Sequence, residues 1–324
     1  MHITMLFMYG EAYSHSMTLK QLRFLREISR QSFNISAAAV ALHTSQPGVS
    51  RQIQFLEQEL GMELLVRRTN RILDFTETGR AILAAAERLL NEMENIALIA
   101  ADARNEGGGR LVLATSHLHA RYTLPVPVRE FSRRYPDVQL HLLQADPDDI
   151  TRLVESREAD IGVSTELTQG HPELVQLPAH PLRRSVIMPK GHPLGRKKRI
   201  VLADFADYPF VSYHPRSRGG QIIGKAFRDA GITARHVVSA SDSDVIKAYV
   251  TEGLGIAVVP AIALDSHADA GLHAVDVTRL FPESRMTISL RRGTHLRRYL
   301  TDFIEMVVPQ LGRAAVERAM RIPG

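Results

Sequence analysis

Side chains able to hydrogen-bond to nucleic-acid bases are concentrated in one short stretch of the 324-residue chain. Val49, Ile53 and Leu56 recur there at helical spacing, so they would face inward on a helix. The residues between them would face outward, and most carry amide, hydroxyl or guanidinium donors suited to base edges. Five residues of this stretch are therefore predicted to contact DNA: Gln46, Pro47, Ser50, Arg51 and Gln54.

A basic cluster follows shortly after this stretch. Arg67, Arg68 and Arg71 flank Thr69-Asn70, where two short β-compatible runs predict a small hairpin. A hairpin in this place would act as a wing whose arginines reach the phosphate backbone. Residues 17–80 contain nine basic and six acidic residues, a modest excess that suits such contacts.

A different chemistry is predicted where strands run into helices further along the chain. Residues 114–121 leave a predicted strand and enter a helix, so hydroxyls and backbone N–H groups collect at a positive helix end that could hold an anion. Thr165 and the segment Ser212-Tyr213-His214 end other predicted strands, and strand ends face the ligand crevice of a doubly wound sheet. A polar pocket containing Ser116 and Thr165 is the result.

The same residues allow simpler roles. Ser116 and Thr165 would also be present if they only capped helices, and His117 and His119 could be surface histidines. His117-x-His119 could bind a metal, but a pair without nearby carboxylates is usually structural. Hydrolase motifs and a phosphate-binding loop are absent from the sequence. We therefore expect no metal, no cofactor and no enzymatic activity.

The elements that would hold these residues fall into two parts. Helices at 36–43 and 46–58, joined by a short turn, have the size of a helix-turn-helix, and a first helix precedes them. A long helix is predicted to begin after Thr76. Its apolar residues are spaced as in a helix that packs against a partner chain. Beyond Gly107–Gly109, which mark a hinge, strands alternate with helices, which predicts α/β structure with a largely parallel sheet. The predicted strands are Leu111–Ala114, Val138–Leu143, Ile161–Val163, Arg184–Met188, Phe210–Tyr213, His236–Ser239, Ile256–Val259 and Met286–Leu290.

Composition excludes several classes of protein. The chain has no cysteine, so disulfides, thiolate metal sites and a cysteine nucleophile are ruled out. Its best short apolar run, Ile96 to Ala101, is far shorter than a membrane span, and its start is a poor signal peptide. A net charge of +5 permits a polyanionic partner without requiring one. We expect a cytoplasmic protein that does not contact membranes.

Longer strings give a specific resemblance. SAAAVALHTSQPGVSRQIQFLEQELGMELLVRR resembles the winged helix-turn-helix of LysR-type transcriptional regulators, and TETGRAILAAAERLL resembles the linker helix through which they dimerise. GHPL and GLGIAVVP resemble their effector domain, so the resemblance covers Met17 to Leu311. Leu65 stands where the family commonly has an aromatic residue, but the position reads as core. The resemblance implies a fold with a winged helix-turn-helix, a long linker helix and a two-lobed, periplasmic-binding-protein-like α/β effector domain.

The implied boundaries complete this picture. They are a disordered extension at 1–16, the DNA-binding domain at 17–76, the linker helix at 77–105, a hinge at 106–110, an effector domain at 111–312 and a tail at 313–324. The two lobes of the effector domain would be 111–181 with 288–312, and 182–287.

Four stretches narrow the resemblance to the CysB-like branch: NISAAAVALHTSQPGVSRQ, ATSHLHARYTLP, SASDSDVIKAYV and RRGTHLRRYLTDFI. Members of this branch are implied to be homotetramers that activate sulfur-acquisition genes under control of a small sulfur-pathway anion or an acylated serine. Candidate effectors are sulfate, thiosulfate, O-acetylserine and organosulfonates. The implied partners are promoter DNA and further copies of the chain as a dimer or tetramer, with RNA polymerase as an additional candidate.

Effector-binding residues also follow from this resemblance. They are Ser116, the backbone of Leu118, His119, Thr165 and His214. Leu118 and His214 stand where the branch has threonine, and His119 where it has glutamine, so two hydroxyls are lost and two imidazoles appear. Histidine could strengthen anion binding at low pH or accommodate a bulkier organosulfur ligand. A LysR-type regulator of an unrelated catabolic pathway and a free-standing solute-binding protein are the alternatives.

Overall fold

The computed structural model describes residues 17–68, 71–104, 108–165 and 171–321. The chain forms two compact units that divide after Ala100, within one long helix. The extension predicted at residues 1–16 and the first two residues of the predicted hinge, Glu106 and Gly107, lie outside the described residues. In the ranges given above, no helix is long and apolar enough to cross a membrane.

The N-terminal unit begins with α1 (Leu19–Arg30), α2 (Ile35–Ala41) and α3 (Gln46–Leu60). Side chains before each helix accept a hydrogen bond from a first-turn N–H group; these caps are Thr18, Asn34 and Ser45. Gly61 ends α3 with a φ of 66°, a left-handed conformation that favours glycine. The bounds of α2 and α3 lie within two residues of the predicted ones, and the helix-turn-helix is confirmed.

A hairpin and a long helix complete this unit. Strands β1 (Leu65–Arg68) and β2 (Arg71–Phe75) pair antiparallel, as predicted for the wing, and α4 (Glu77–Ala103) follows. Thr76 Oγ1 accepts a hydrogen bond from the N–H of Gly79 at 2.9 Å, so Thr76 starts the helix as expected. The buried core of the unit unites all of these elements and includes Leu25, Ile28, Val49, Ile53, Leu56, Leu64, Leu65, Phe75 and Leu90.

The first lobe of the C-terminal unit is built on a five-stranded sheet. Its strands are β3 (Gly109–Thr115), β4 (Val138–Gln144), β5 (Ile161–Thr165), β6 (Leu174–Pro181) and β12 (Arg285–Arg291), in the order β4-β3-β5-β12-β6. Its helices are α5 (His117–Tyr122), α6 (Pro125–Arg134), α7 (Pro147–Glu155), α10 (Arg298–Val307) and α11 (Arg313–Met320). Phe131, Phe303 and Val316 form one apolar cluster, and Ile150 and Val154 form another.

The second lobe contains two small sheets. Strands β7 (Arg184–Pro189), β10 (Ala257–Pro260) and β11 (Leu272–Asp276) form an antiparallel sheet in the order β10-β7-β11, and β8 (Pro209–Tyr213) pairs in parallel with β9 (Arg235–Ala240). Helices α8 (Arg218–Asp229) and α9 (Ser243–Thr251) complete the lobe. Its core is centred on Phe205, Phe210 and Phe227.

The sheets correct one sequence prediction. A largely parallel sheet is wrong, because β12 returns to the first lobe antiparallel to both β5 and β6, and all pairings of β7 are antiparallel. Two strands, β6 and β11, were not predicted at all.

Three boundaries also differ from the predicted ones. Strand β3 already begins at Gly109, within the predicted hinge. Strand β12 begins at Arg285, so the chain re-enters the first lobe before residue 288. Helix α11 buries Val316 and Met320 in the core of the first lobe, so most of the predicted tail packs as part of that lobe.

Candidate nucleic-acid interface and ligand cleft

One face of α3 presents every base-contacting residue predicted from the sequence. Val49, Ile53 and Leu56 are buried beneath it. The exposed side chains are Gln46, Pro47, Ser50, Arg51 and Gln54. Gln46 also donates a hydrogen bond from Nε2 to Ser36 Oγ at the start of α2, a positioning contact that periodicity could not reveal. The first turns of α2 and α3 are thereby joined next to the exposed face.

The arginines of the hairpin differ from one another. Arg67 forms a two-point ion pair with Glu57 of α3, with Nη2–Oε2 and Nη1–Oε1 distances of 2.7 and 3.1 Å. Glu57 Oε1 also accepts a hydrogen bond from the backbone N–H of Leu64 at 2.8 Å, so Arg67 belongs to a joint between α3 and the hairpin. Arg68 is exposed on β1. The side chain of Arg71 lies outside the described residues.

A cavity of about 510 Å³ opens between the two lobes of the C-terminal unit, and four helices begin at it. Asp146 and Asp242 precede α7 and α9, and each places a carboxylate at the positive end of its helix. Ser116 and Ser217 precede α5 and α8, so these two helix ends carry no such negative charge. An added anion is therefore better placed near the serine-capped helices than near the other two.

Three of the predicted effector residues line this cavity: Ser116, Leu118 and Thr165. Ser116 follows β3 and begins α5, while Thr165 ends the neighbouring strand β5, so the parallel pairing of β3 and β5 brings them together. Ser116 Oγ is buried and has no hydrogen-bond partner within the described part of the chain. Such a hydroxyl is available to a ligand.

His119 lies beneath this polar wall rather than on it. The side chain is completely buried, and its Nδ1 and Nε2 atoms lie 3.0 Å from Thr123 Oγ1 and 3.2 Å from Thr165 Oγ1. Burial lowers the pKa of His119 to about 4, so the ring is neutral near pH 7. Near pH 7 His119 would therefore not meet an anion as imidazolium, and its contact with the cavity runs through Thr165.

His214 is not among the cavity-lining residues either. It follows β8, is exposed, and its Nδ1 accepts a hydrogen bond from the N–H of Arg216 at 3.2 Å. The preceding residue, Tyr213, does line the cavity, and its hydroxyl lies 2.6 Å from Ser243 Oγ.

Sequence reasoning missed the two arginines of the cleft. Arg184, only 6% exposed at the start of β7, donates from Nη2 to Ser284 Oγ at 2.7 Å and from Nη1 to the carbonyl of Pro282 at 3.3 Å. Arg218 lines the cavity at the first turn of α8. The sequence did contain one indication of Arg184, since a charged residue stands at the start of the otherwise apolar run 184–188.

Hydrogen bonds also connect the two lobes beside the cavity. Asp244 of α9 accepts from the hydroxyl of Tyr122 and lies 3.2 Å from His117 Nε2, and both of these residues belong to α5. The buried ammonium of Lys247 donates to the Tyr122 hydroxyl at 3.1 Å and to Asp269 at 3.1 Å. Burial by itself would raise the pKa of Asp244, but the hydrogen bonds from Tyr122 and His117 and the charge of Lys247 hold that pKa below its usual value.

The same region contains a group of potential metal ligands. His117, Asp242 and Asp244 bring donor atoms within 4.8 Å of one another. The ammonium of Lys247 already lies 3.4 Å from Asp244 and supplies the positive charge there. We therefore assign no metal to this group.

Comparison with known proteins matches both units. Residues 19–80 match the family of bacterial regulatory helix-turn-helix proteins of the lysR family, and residues 104–312 match the LysR substrate binding domain. The transcriptional regulator SsuR of Burkholderia cenocepacia is 41% identical over 94% of this chain and 99% of its own length. The regulator CysB of the same organism is 39% identical over 94% and 97%. The crystal structure of the cofactor-binding domain of the Cbl regulator superposes with a TM-score of 0.62 at 34% identity, covering 66% of this chain and 93% of that domain.

The fold and these matches define the class of protein. The chain belongs to the LysR family of DNA-binding transcriptional regulators and is not an enzyme. Regulators of this family bind promoter DNA and small-molecule effectors and form oligomers. The helix-turn-helix match also excludes the alternative that the chain is a free-standing solute-binding protein.

Proposed function

We propose that this regulator reads promoter DNA with the exposed face of α3, aided by phosphate contacts from the hairpin, and controls genes of sulfur assimilation or organosulfur utilisation. The observation that carries the DNA-binding part is the set of five exposed polar or small side chains above the buried stripe of α3. The sulfur part is supported by identities of 39–41% to SsuR and CysB over nearly the whole chain. Promoter DNA as the partner implies action in the cytoplasm.

Helix α4 would join two copies of the chain. Leu89, Ile96 and Ile99 are 43%, 63% and 49% exposed on it, which is unusual for large apolar side chains in a helix with charged neighbours. Pairing such a stripe with its counterpart would bury it in a seam of coiled-coil type. A homodimer, or a homotetramer formed from two such dimers, is the assembly we propose, and RNA polymerase is a further candidate partner.

In the proposed mechanism, a small sulfur-containing anion binds in the cleft near Ser116, the backbone N–H of Leu118 and Thr165. First-turn N–H groups have no acceptor within their own helix, so those of α5 can donate to the anion. Binding shifts an existing equilibrium between assembly shapes and thereby alters the bending of bound DNA. An effector changes such an equilibrium only by its difference in affinity, commonly about 1–3 kcal/mol, so graded responses are expected.

Genome-wide mapping of bound sites tests the proposal most directly. Sites upstream of sulfur-acquisition genes support it, whereas sites confined to an unrelated catabolic pathway would leave only the general regulator. Footprinting at a mapped site should then be abolished by Ser50→Trp and retained by Gln58→Trp, a matched change at an exposed position near the end of α3. An unchanged footprint with Ser50→Trp would show that another surface enters the major groove.

A further inference from the structure

The cleft is larger than a small inorganic anion requires. Its volume of about 510 Å³ lies within the range of roughly 300–1,000 Å³ that is typical of sites for organic ligands. Sulfate has only five heavy atoms and would leave most of this space to water. Size alone therefore favours a ligand with a body as well as a charged group.

One wall of the cleft is apolar. The side chains that form it come from the second lobe and from the crossover leading into it, and all are almost completely buried: Leu182, Ile222, Ile223, Val258 and Val259. An inorganic oxyanion next to this wall would lose hydrating water and receive no hydrogen bond in return, which costs free energy. A hydrocarbon body placed against the wall leaves water, and that transfer is favourable.

The charged side chains of the cleft oppose a doubly charged ligand. The hydroxyls of Ser116 and Thr165 belong to the first lobe, across the cleft from the apolar wall. The guanidinium groups of Arg184 and Arg218 are accompanied by three cavity-lining carboxylates, from Asp146, Asp149 and Asp242. This balance of charges opposes a dianion more strongly than a monoanion.

From these features we infer that the effector is an organic sulfonate or a sulfate monoester with an apolar body of several carbons. Its singly charged sulfur head lies at Ser116 and Thr165, and its body lies against Ile222 and Val258. This inference rests on the proposed function, which supplies the sulfur-containing anion, and adds the apolar body that the second lobe recognises.

A series of alkyl chains tests the body. The full-length protein is titrated calorimetrically with sulfate, methanesulfonate, butanesulfonate, hexanesulfonate and hexyl sulfate. Each buried methylene should tighten Kd about fourfold, so butanesulfonate should bind about 60-fold more tightly than methanesulfonate. Tight binding of hexanesulfonate would identify the effector as a sulfonate. Tight binding of hexyl sulfate alone would identify it as a sulfate monoester.

Outcomes that overturn the inference are separate from those that overturn the proposed function. Equal Kd values along the series would refute the apolar body while leaving a regulator that senses a small anion. Hexanoate binding as tightly as hexanesulfonate would refute the sulfur head. Binding by none of these compounds, nor by thiosulfate or O-acetylserine, would remove both effector assignments, whereas the footprint of Ser50→Trp still tests DNA reading.

Variants of the wall give a second readout. Val258→Thr keeps the shape of the side chain but adds a hydroxyl, so it should weaken hexanesulfonate binding about tenfold and change methanesulfonate binding by less than about twofold. Val237→Thr, at an exposed position on β9, is the matched control and should change neither. If Val258→Thr impairs folding, the smaller change Ile222→Val takes its place as the test. It should weaken hexanesulfonate binding about threefold. Unaltered hexanesulfonate binding in both wall variants would overturn the inference.

Discussion

Mild acid should destabilise the C-terminal unit through one buried histidine. In the unfolded chain His119 has an ordinary pKa of about 6.5, whereas burial lowers its pKa in the folded protein to about 4. Between these values the unfolded state binds a proton that the folded state does not. The contribution of neutral His119 is therefore fully present above about pH 6.5 and is lost as the pH falls toward 4.

The size of the effect follows from the two pKa values. Between the two pKa values, each unit by which the pH falls lowers the free energy of unfolding by about 1.4 kcal/mol. From pH 7 to pH 5 the free energy of unfolding should fall by about 2 kcal/mol on account of His119, and by pH 4 by about 3 kcal/mol. His119→Gln removes the titrating ring, while its amide N–H can still donate to Thr165. This variant should lack the acid-dependent part of the loss.

Tyrosine circular dichroism reports mainly on the C-terminal unit, which holds six of the eight tyrosines; the other two are Tyr9 and Tyr13. The chain has no tryptophan, and the first tyrosine among the described residues is Tyr122. Urea titrations at pH 7 and pH 5 would compare the wild type, His119→Gln and His180→Gln, the last being a control at an exposed histidine of β6. If the wild type and His119→Gln lose the same stability between the two pH values, the ring is not held neutral by burial.

Other expectations concern the remaining joints of the structure. Gly79→Ala should lower the free energy of unfolding of the N-terminal unit by more than about 2 kcal/mol, because a Cβ there would lie 2.0 Å from the carbonyl oxygen of Leu64; thermal unfolding measures this. Arg68→Ala should weaken binding to all DNA sequences alike and reduce the dependence on salt by about one ion, as measured by gel shift in a salt series. Arg67→Ala should lower thermal stability as well, because Arg67 is paired with α3. Lys247→Met should destabilise the C-terminal unit by about 2 kcal/mol or more in urea titrations, because it leaves buried acceptors without a donor.

Three of these expectations have a control variant. Gly312→Ala adds a Cβ that meets nothing within 4 Å and should be nearly neutral. Glu57→Gln should reproduce the loss of stability of Arg67→Ala without removing a positive charge. Lys225→Met removes an exposed lysine paired with Asp229 one turn along α8 and should change stability by less than about 0.5 kcal/mol. Equal effects of Lys225→Met and Lys247→Met would contradict the role given to burial.

Local patterns predicted the N-terminal unit almost completely. Its helices carry caps, a helix-ending glycine and apolar residues at helical spacing, and all of these signals act within a few residues along the chain. The exposed face of α3 followed directly, because burial of Val49 and Ile53 leaves Ser50 and Arg51 pointing away from the core. What local patterns missed there was a contact between elements, the ion pair of Arg67 with Glu57.

The cleft depended on contacts that sequence spacing does not encode. Ser116 and Thr165 were placed correctly because both end strands of one parallel pair. The place of His119 was not predicted, because it is buried and one of its two hydrogen-bond partners, Thr165, lies 46 residues away along the chain. Strand β12 reaches its partners only after the chain has formed a whole second lobe, so the antiparallel register of the sheet had no local signal.

The hydrogen bonds from α5 to Asp244 have a consequence for the timing of the response. We expect a ligand held between the lobes to leave most readily when these bonds open together with the buried contact between Lys247 and Tyr122. Exchange of ligand is then limited by the opening of the lobes rather than by diffusion. Transcription controlled in this way would outlast a brief fall in effector concentration, so the regulator would average its signal over time instead of following each fluctuation.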